Sequence, residues 1–346
     1  MYLHEIGRRL ARRHTVTLYC GSYSGCKREE EVDGLRIIRR GGEFTVYLHA
    51  LFDYLIRRRK EKFDVIVDSI NGVPFFTPLF VARPKVAIVH HLVGKEIFFR
   101  ELGGILGFLA WIAERLIPLL YRKTWLVTVS QSTKTELIDF GLAEERLRLV
   151  PNAIEQGSFA PREKSPNPQV VYLGRIKKYK QIDHVIKAFE LARETIPEAK
   201  LIIGGKGVYS ELKELVAELQ LESAIHLVGE VSEGEKVEIL QNSWAFVTPS
   251  MKEGWGISVI EANACGTPAI AYDVPGLRDS IRDGETGLLV SPGDIEELAK
   301  TIVRLLNNRE LRIKLSQNAL IWARGSSWEK SAEEFDKVLS EVLNES

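Results

Sequence analysis

Three cysteines in 346 residues, Cys20, Cys26 and Cys265, are too few and too odd in number for a disulfide framework. The expected setting is therefore reducing and cytoplasmic. Cys20 and Cys26 lack partners at zinc-ligand spacing, and Cys265 falls where a small residue packs near a helix end, so it reads as core. Net charge is also missing: 47 basic and 47 acidic side chains cancel, and nucleic acid is not an expected partner. The cancellation is uneven, with a basic excess over 1–155 and an acidic excess over the remainder. That asymmetry fits a basic face toward an anionic acceptor or membrane surface, and equally an ordinary solvated surface. Long hydrophobic runs are absent. Leu102 to Ala113 is apolar or glycine, but Glu114 and Arg115 end it well short of a bilayer span. Residues 1–13 carry four arginines and no apolar block, unlike a secretory leader. There is no Walker lysine motif, which sets aside a P-loop ATPase. Gly205-Lys-Gly207-Val-Tyr-Ser210 comes nearest to a dinucleotide fingerprint and fails at the third glycine.

What is present is length for two ordinary domains, each with a core. In the first half, apolar or alternating runs predict strands at Thr15–Cys20, Leu35–Arg39, Val65–Asp68, Lys85–His90, Trp125–Val129 and Leu147–Val150. A helix over 2–13 precedes them, with Leu3, Ile6 and Leu10 on one face. In the second half the strands are Val170–Leu173, Leu201–Ile203, Ile225–Val228, Trp244–Val247, Ala269–Ala271 and Leu288–Val290. Helices fit between them, marked by Ile182, Val185, Ile186 and Phe189, by Leu212, Leu215, Val216 and Leu219, and by Leu298, Ile302 and Leu305. Strand–helix alternation predicts α/β architecture with parallel sheets. The domains are expected at 1–155 and 156–328, joined near the proline-interrupted stretch Ala153–Pro168. A last helix begins near Trp328.

The second half is organised around Pro249-Ser-Met-Lys-Glu253-Gly-Trp-Gly256-Ile-Ser-Val-Ile-Glu261-Ala-Asn-Ala-Cys-Gly266-Thr-Pro268. Pro249 stops a buried strand. Glu253 to Gly256 forms a glycine turn, and Ile257, Ile260 and Ala264 recur at helical spacing until Gly266 and Pro268 end the helix. Glu253 thus sits on a loop and Glu261 on a helix. A helix N-terminus favours phosphate, and Gly254 and Gly256 admit the backbone to a ligand. A loop carboxylate can accept from sugar hydroxyls, and one two turns along can chelate a ribose diol. In a chain that is 27% charged, two glutamates eight apart mean little alone; the whole string is the signal.

This string resembles the E-x7-E signature of the retaining glycosyltransferases of family 4, of the glycogen synthase and mannosyltransferase type. The resemblance covers nearly the whole chain. It implies the GT-B fold, two facing Rossmann-like doubly wound domains with a cleft between them, and a last helix (about 329–346) crossing back to the first domain. It gives Glu253 the donor sugar and Glu261 the ribose, with Gly254, Trp255, Gly256 and Ile257 also at the donor.

Gly174-Arg175-Ile-Lys-Lys-Tyr-Lys180 follows a strand end, where open parallel sheets bind ligands. Alone it would be a solvated basic loop. It is similar to the family's Gly-Arg…Lys phosphate motif, so Gly174, Arg175 and Lys180 are expected at the diphosphate, with the two cations stabilising the leaving group. Gln181 stands where the family often has glycine. No Asp-x-Asp motif occurs, and neither a metal nor any other cofactor is expected. Val89-His90-His91-Leu92 ends a strand of the first half. A buried histidine there is usually structural, but the resemblance places His90 near the anomeric centre as a hydrogen-bonding group. Gly229 and Val231 correspond to backbone facing the base. Ser130 is an N-cap before Thr133 or a ligand contact, and the cap is preferred.

Two features fall outside these motifs. Phe98 to Tyr121 is apolar with interspersed arginines: a core helix, or a segment on a membrane surface (98–123) that guides a lipid acceptor. The family's opening strand and glycine loop are also missing ahead of the first helix, which predicts roughly 15–25 further residues before Met1. The reading is transfer of a hexose, with retention, from a nucleotide-diphosphate sugar to a glycan or lipid-linked acceptor. The alternative is a degenerate GT-B protein that binds nucleotide sugars or acts as a scaffold subunit.

Overall fold

The computed structural model describes residues 1–155 and 157–345. They form two units. Unit 1 takes 1–95, 108–152 and 328 onward; unit 2 takes 96–107 and 153–327.

Unit 1 opens with α1 (Tyr2–Leu10), shorter than the predicted 2–13, whose buried side carries Tyr2, Ile6 and Leu10. Strands β1 (Thr17–Cys20), β2 (Glu29–Val32) and β3 (Leu35–Arg39) form one sheet in the order β1-β3-β2. β2 escaped the sequence reading because Glu-Glu-Glu-Val shows no apolar alternation. Its signal was Asp33-Gly34, both at positive φ (53° and 76°), the pair a tight hairpin turn needs. After α2 (Val46–Ile56), β4 (Ile66–Ile70), β5 (Lys85–Val89), β6 (Trp125–Thr128) and β7 (Leu147–Leu149) make a parallel four-stranded sheet in sequence order. Among the described residues no ladder joins β1 to β4, so the single parallel sheet expected here is two. β5 and β6 are buried along nearly their whole length, which explains their unbroken apolar runs.

The apolar stretch from Phe98 is not one core helix. Gly103 (φ 71°) and Pro118 divide it into α3 (Gly94–Leu102), α4 (Gly104–Arg115) and α5 (Ile117–Leu120). The inward side of α4 and α5 carries Ala110, Glu114 and Ile117, while Leu109 and Leu119 are 56% and 62% exposed. Residues 96–107, expected with the first domain, group with unit 2. Glu101 explains this: it accepts from the Tyr179 backbone N–H at 3.1 Å and lies 3.7 Å from Lys177. Helix α6 (Gln131–Asp139) is capped by Ser130, whose Oγ accepts from the Thr133 N–H at 3.1 Å.

Unit 2 holds β8 (Gln169–Leu173), α7 (Ile182–Thr195), β9 (Lys200–Gly204), α8 (Ser210–Glu218), β10 (Ile225–Gly229), α9 (Glu233–Asn242) and β11 (Ala245–Thr248). Then follow α10 (Ile257–Ala264), β12 (Ala269–Tyr272), α11 (Leu277–Ser280), β13 (Gly287–Val290), α12 (Ile295–Asn307) and α13 (Arg309–Arg324). The six strands are parallel in the order β10-β9-β8-β11-β12-β13, a doubly wound sheet that reverses between β8 and β11. Val185, Ile186, Phe189, Leu298, Ile302 and Leu305 are fully buried, as their spacing predicted, each worth about 1.5–3 kcal/mol of hydrophobic burial. Cys265 is buried in the same core.

The last helix, α14 (Trp328–Asn344), packs in unit 1 beside α1. The Trp328 ring meets the edge of Tyr2 at 5.8 Å, Arg9 pairs with Glu329 at 2.8 Å, and Ser331 donates to the Pro151 carbonyl at 2.8 Å.

Candidate functional site

The loops that follow β8 and β11 leave the sheet of unit 2 where its strand order reverses, the place at which open α/β sheets take ligands. These two loops carry Gly174–Lys180 and Glu253–Gly256. Lys180 Nζ makes an ion pair with Glu253 Oε1, and both side chains are largely shielded from solvent. Ser250 Oγ donates to the same carboxylate oxygen at 2.8 Å. The Met251 N–H donates to the Tyr179 carbonyl at 2.9 Å, joining the loops through their backbones.

Each loop is shaped by glycine at one close approach. A Cβ on Gly276 would lie 2.1 Å from the Glu253 carbonyl oxygen. A Cβ on Gly205 would lie 1.8 Å from that of Gly174, so the near-fingerprint Gly205-x-Gly207 braces the β8 loop. Gln181, replacing the expected glycine, takes the left-handed conformation itself (φ 49°, ψ 47°) and starts α7 there. The substitution therefore keeps the turn, with a modest strain that glycine would avoid.

Arg175 is exposed; its guanidinium donates to Tyr179 Oη at 3.0 Å, and its carbonyl accepts from buried Tyr172 at 3.0 Å. Gly256, at φ 82°, precedes α10, with Leu277 and Ser280 crowding any side chain there. Trp255 and Ile257 pack partly buried against Ile154, Ile260, Ala264 and Ala323. Glu261 is buried on α10, where Lys236 of α9 reaches it at 2.9 Å and also holds Glu233 at 2.8 Å. Burial pushes the Glu261 carboxyl up, and Lys236 pulls against that. Burial opposes the Lys236 charge, but Glu261 and Glu233 hold its pKa above the usual lysine value. The Gly229 carbonyl accepts from the Gly205 N–H at 2.6 Å, and Val231 is half-buried against the core.

His90 belongs to unit 1, at the carboxyl end of β5. Its Nε2 lies 3.2 Å from Ser69 Oγ, and its ring meets Tyr2 edge-on at 5.4 Å. Burial pushes its pKa down to about 4, so the imidazole is neutral at pH 7.

Three participants escaped the sequence reading. Ser250 stood unremarked inside the organising string. Lys236 lies 25 positions from Glu261, with no local signal beyond its spacing from Glu233. Tyr179 was only a filler in the basic loop.

Residues 1–156 match the model for glycosyltransferase family 4, and 154–322 match that for glycosyl transferases group 1. An exopolysaccharide phosphotransferase from Streptomyces coelicolor is 38% identical over 189 residues, 54% of this chain and 20% of the relative. A D-inositol 3-phosphate glycosyltransferase from Acidothermus cellulolyticus is 30% identical over 241 residues, 64% of this chain and 54% of the relative. The chain spans no more than 64% of the length of such curated relatives. Among solved structures, a sucrose-phosphate synthase from Thermosynechococcus elongatus superposes with TM-score 0.87 at 20% identity, covering 100% of this chain and 93% of that one. Anabaena HepE, solved with UDP and glucose, gives 0.76 at 17%, covering 98% and 95%. Fold and matches together define an architecture: two Rossmann-like units of the GT-B fold. Its two halves correspond to the two family models, one per half.

Proposed function

We propose that the protein is a retaining family 4 glycosyltransferase that moves a hexose from a nucleotide-diphosphate sugar to a glycan or lipid-linked acceptor. The observation that carries this reading is the Lys180–Glu253 pair, set between the loops at the reversal point of the unit 2 sheet. A diphosphate arriving there meets Arg175 and Lys180, which neutralise it without a metal. Glu253, released from Lys180, then accepts from the sugar hydroxyls. Glu261, held in place by Lys236, takes the ribose diol. The base lies against backbone near Gly229 and Val231, and Gly254, Trp255, Gly256 and Ile257 contribute main chain rather than side chains. His90, neutral at working pH, serves as a hydrogen-bonding group toward the donor sugar.

HepE, solved with UDP and glucose, supports the donor class. The exposed apolar residues of α4 and α5, with Arg122 and Lys123 beyond them, support a peripheral membrane contact through 98–123 on the cytoplasmic face. The test is a panel of nucleotide sugars, scored for donor hydrolysis and for the anomeric configuration of product. Turnover of one donor with retention supports the reading. Tight binding with no turnover would make the protein a nucleotide-sugar-binding subunit instead.

A further inference from the structure

We propose that Tyr179 and Glu101 are positioning residues for the donor diphosphate: Tyr179 holds both loop cations, and Glu101 holds Tyr179. This rests on the glycosyl-transfer reading above. The two cations assigned to the diphosphate meet on one side chain. The Arg175 guanidinium donates to Tyr179 Oη at 3.0 Å, and Lys180 Nζ stands 5.0 Å from the centre of the Tyr179 ring. Tyr179 therefore sets where both positive charges stand.

Its own position needs support. Lys178–Lys180 is a single tight helical turn, and Gln181 follows it in the left-handed conformation. One turn cannot satisfy its own first N–H groups. A non-glycine residue at φ 49° persists only where its surroundings hold it. Lys177 precedes the turn and supplies no capping side chain. Glu101 supplies one from 78 positions away: its Oε1 accepts from the Tyr179 N–H at 3.1 Å. The carboxylate is 17% exposed, and its other oxygen lies 3.7 Å from Lys177 Nζ. Helix physics alone does not select an acid here, because the last turn of α3 is the negative end of its dipole. The neighbouring Arg100 reaches the second loop, with Nη1 2.9 Å from Met251 Sδ. Met251 in turn donates its N–H to the Tyr179 carbonyl at 2.9 Å. The end of α3 thus braces the junction of both loops, and all these contacts lie within unit 2. α3 is itself fixed by buried Phe98 and by the close crossing of α4 at Gly107. A Cβ on Gly107 would lie 2.9 Å from the Phe98 carbonyl oxygen.

The experiment is calorimetry of the full chain with uridine, adenosine and guanosine diphosphates, the tightest of them carried through the variants. What Tyr179 needs from Glu101 is an acceptor at full reach. Glu101→Gln keeps an oxygen at that reach, so affinity should stay within about twofold of wild type. Glu101→Asp keeps the charge but falls one methylene short. It should lose about tenfold, the scale of one hydrogen bond, and Glu101→Ala the same. Because Glu101 acts through the cations, Glu101→Ala should cost nothing further in Arg175→Ala/Lys180→Ala protein. Tyr179→Phe should weaken binding about fivefold, and not at all once Arg175 is alanine. Circular dichroism should show each variant folded; if Glu101→Ala is not, the order of Gln and Asp decides. Wild-type affinity in Glu101→Asp with a loss in Glu101→Gln would reduce Glu101 to charge neutralisation and overturn the proposal. So would an additive loss in the triple variant, the mark of a general weakening of the fold, or wild-type affinity in Tyr179→Phe. These outcomes leave the glycosyl-transfer reading standing. Wild-type affinity in Arg175→Ala/Lys180→Ala, or a wild type that binds none of the three nucleotides, overturns that reading and this proposal together.

Discussion

Lys180 and Glu253 hold each other across the point where the sheet of unit 2 reverses. Each occupies the other's charge, so the pair sets up a competition that a diphosphate can enter. The Glu253→Gln variant should separate two effects. Removing the charge frees Lys180, so nucleoside diphosphate should bind as tightly as to wild type or tighter by calorimetry. Transfer should fall on the order of 10²-fold, since an oriented polar contact to the reacting sugar is lost. Unchanged turnover would remove Glu253 from the mechanism.

Arg175→Ala and Lys180→Ala should each weaken nucleoside diphosphate binding by ~1.5–3 kcal/mol, and the double variant more. Wild-type affinity in the double variant would reduce the loop to a solvated surface. Turnover should survive EDTA, and a strict Mg²⁺ requirement would contradict the role given to the two cations.

Lys236→Met leaves the buried Glu261 carboxylate without its cation. Breaking such a pair costs up to about 3–5 kcal/mol. Burial already holds the Glu261 carboxyl above its usual value, and the variant raises it further. A group raised on folding contributes stability at low pH that is lost as pH rises. The deficit measured by urea unfolding should therefore shrink toward acid and be greatest above neutrality. A pH-independent deficit would mean that Lys236 only fills space.

His90 gives the opposite sign. Burial lowers its pKa from 6.5 to about 4, so the unfolded chain binds the proton first. Its contribution is complete above pH 6.5 and is lost as pH falls toward 4, at most ~3 kcal/mol. His90→Gln should flatten the unfolding free energy across that window. An unchanged acid slope would show that other groups dominate it.

Strands buried along all or nearly all of their length, such as β5, β6 and β11, were plain in the sequence because of their apolar runs. So were α7 and α12, whose buried residues recur at helical spacing. β2 was hidden by its glutamates, and the division of 94–120 into three short helices by apolar composition that ran through Gly103 and Pro118. The Glu253 loop was found because Pro249, Gly254 and Gly256 punctuate it, and the Arg175–Lys180 loop because it follows a strand end and resembles the family's phosphate motif. Lys236 was not, since an ion pair between neighbouring helices leaves no local pattern. The outward turn of α4 was also illegible: hydrophobic residues at helical spacing look the same whether the stripe faces in or out.

The return of α14 to α1 has a consequence for biosynthesis. Residues 153–327 of unit 2 lie between α1 and α14 in the chain, so they are made before α14. Until that helix emerges, Tyr2 and Ile6 of α1 lack the cover of Trp328 and its neighbours. A premature stop or a proteolytic cut near Gly325 would spare the adjacent sheet and uncover α1. Nascent unit 1 is thus the client that chaperones would hold longest.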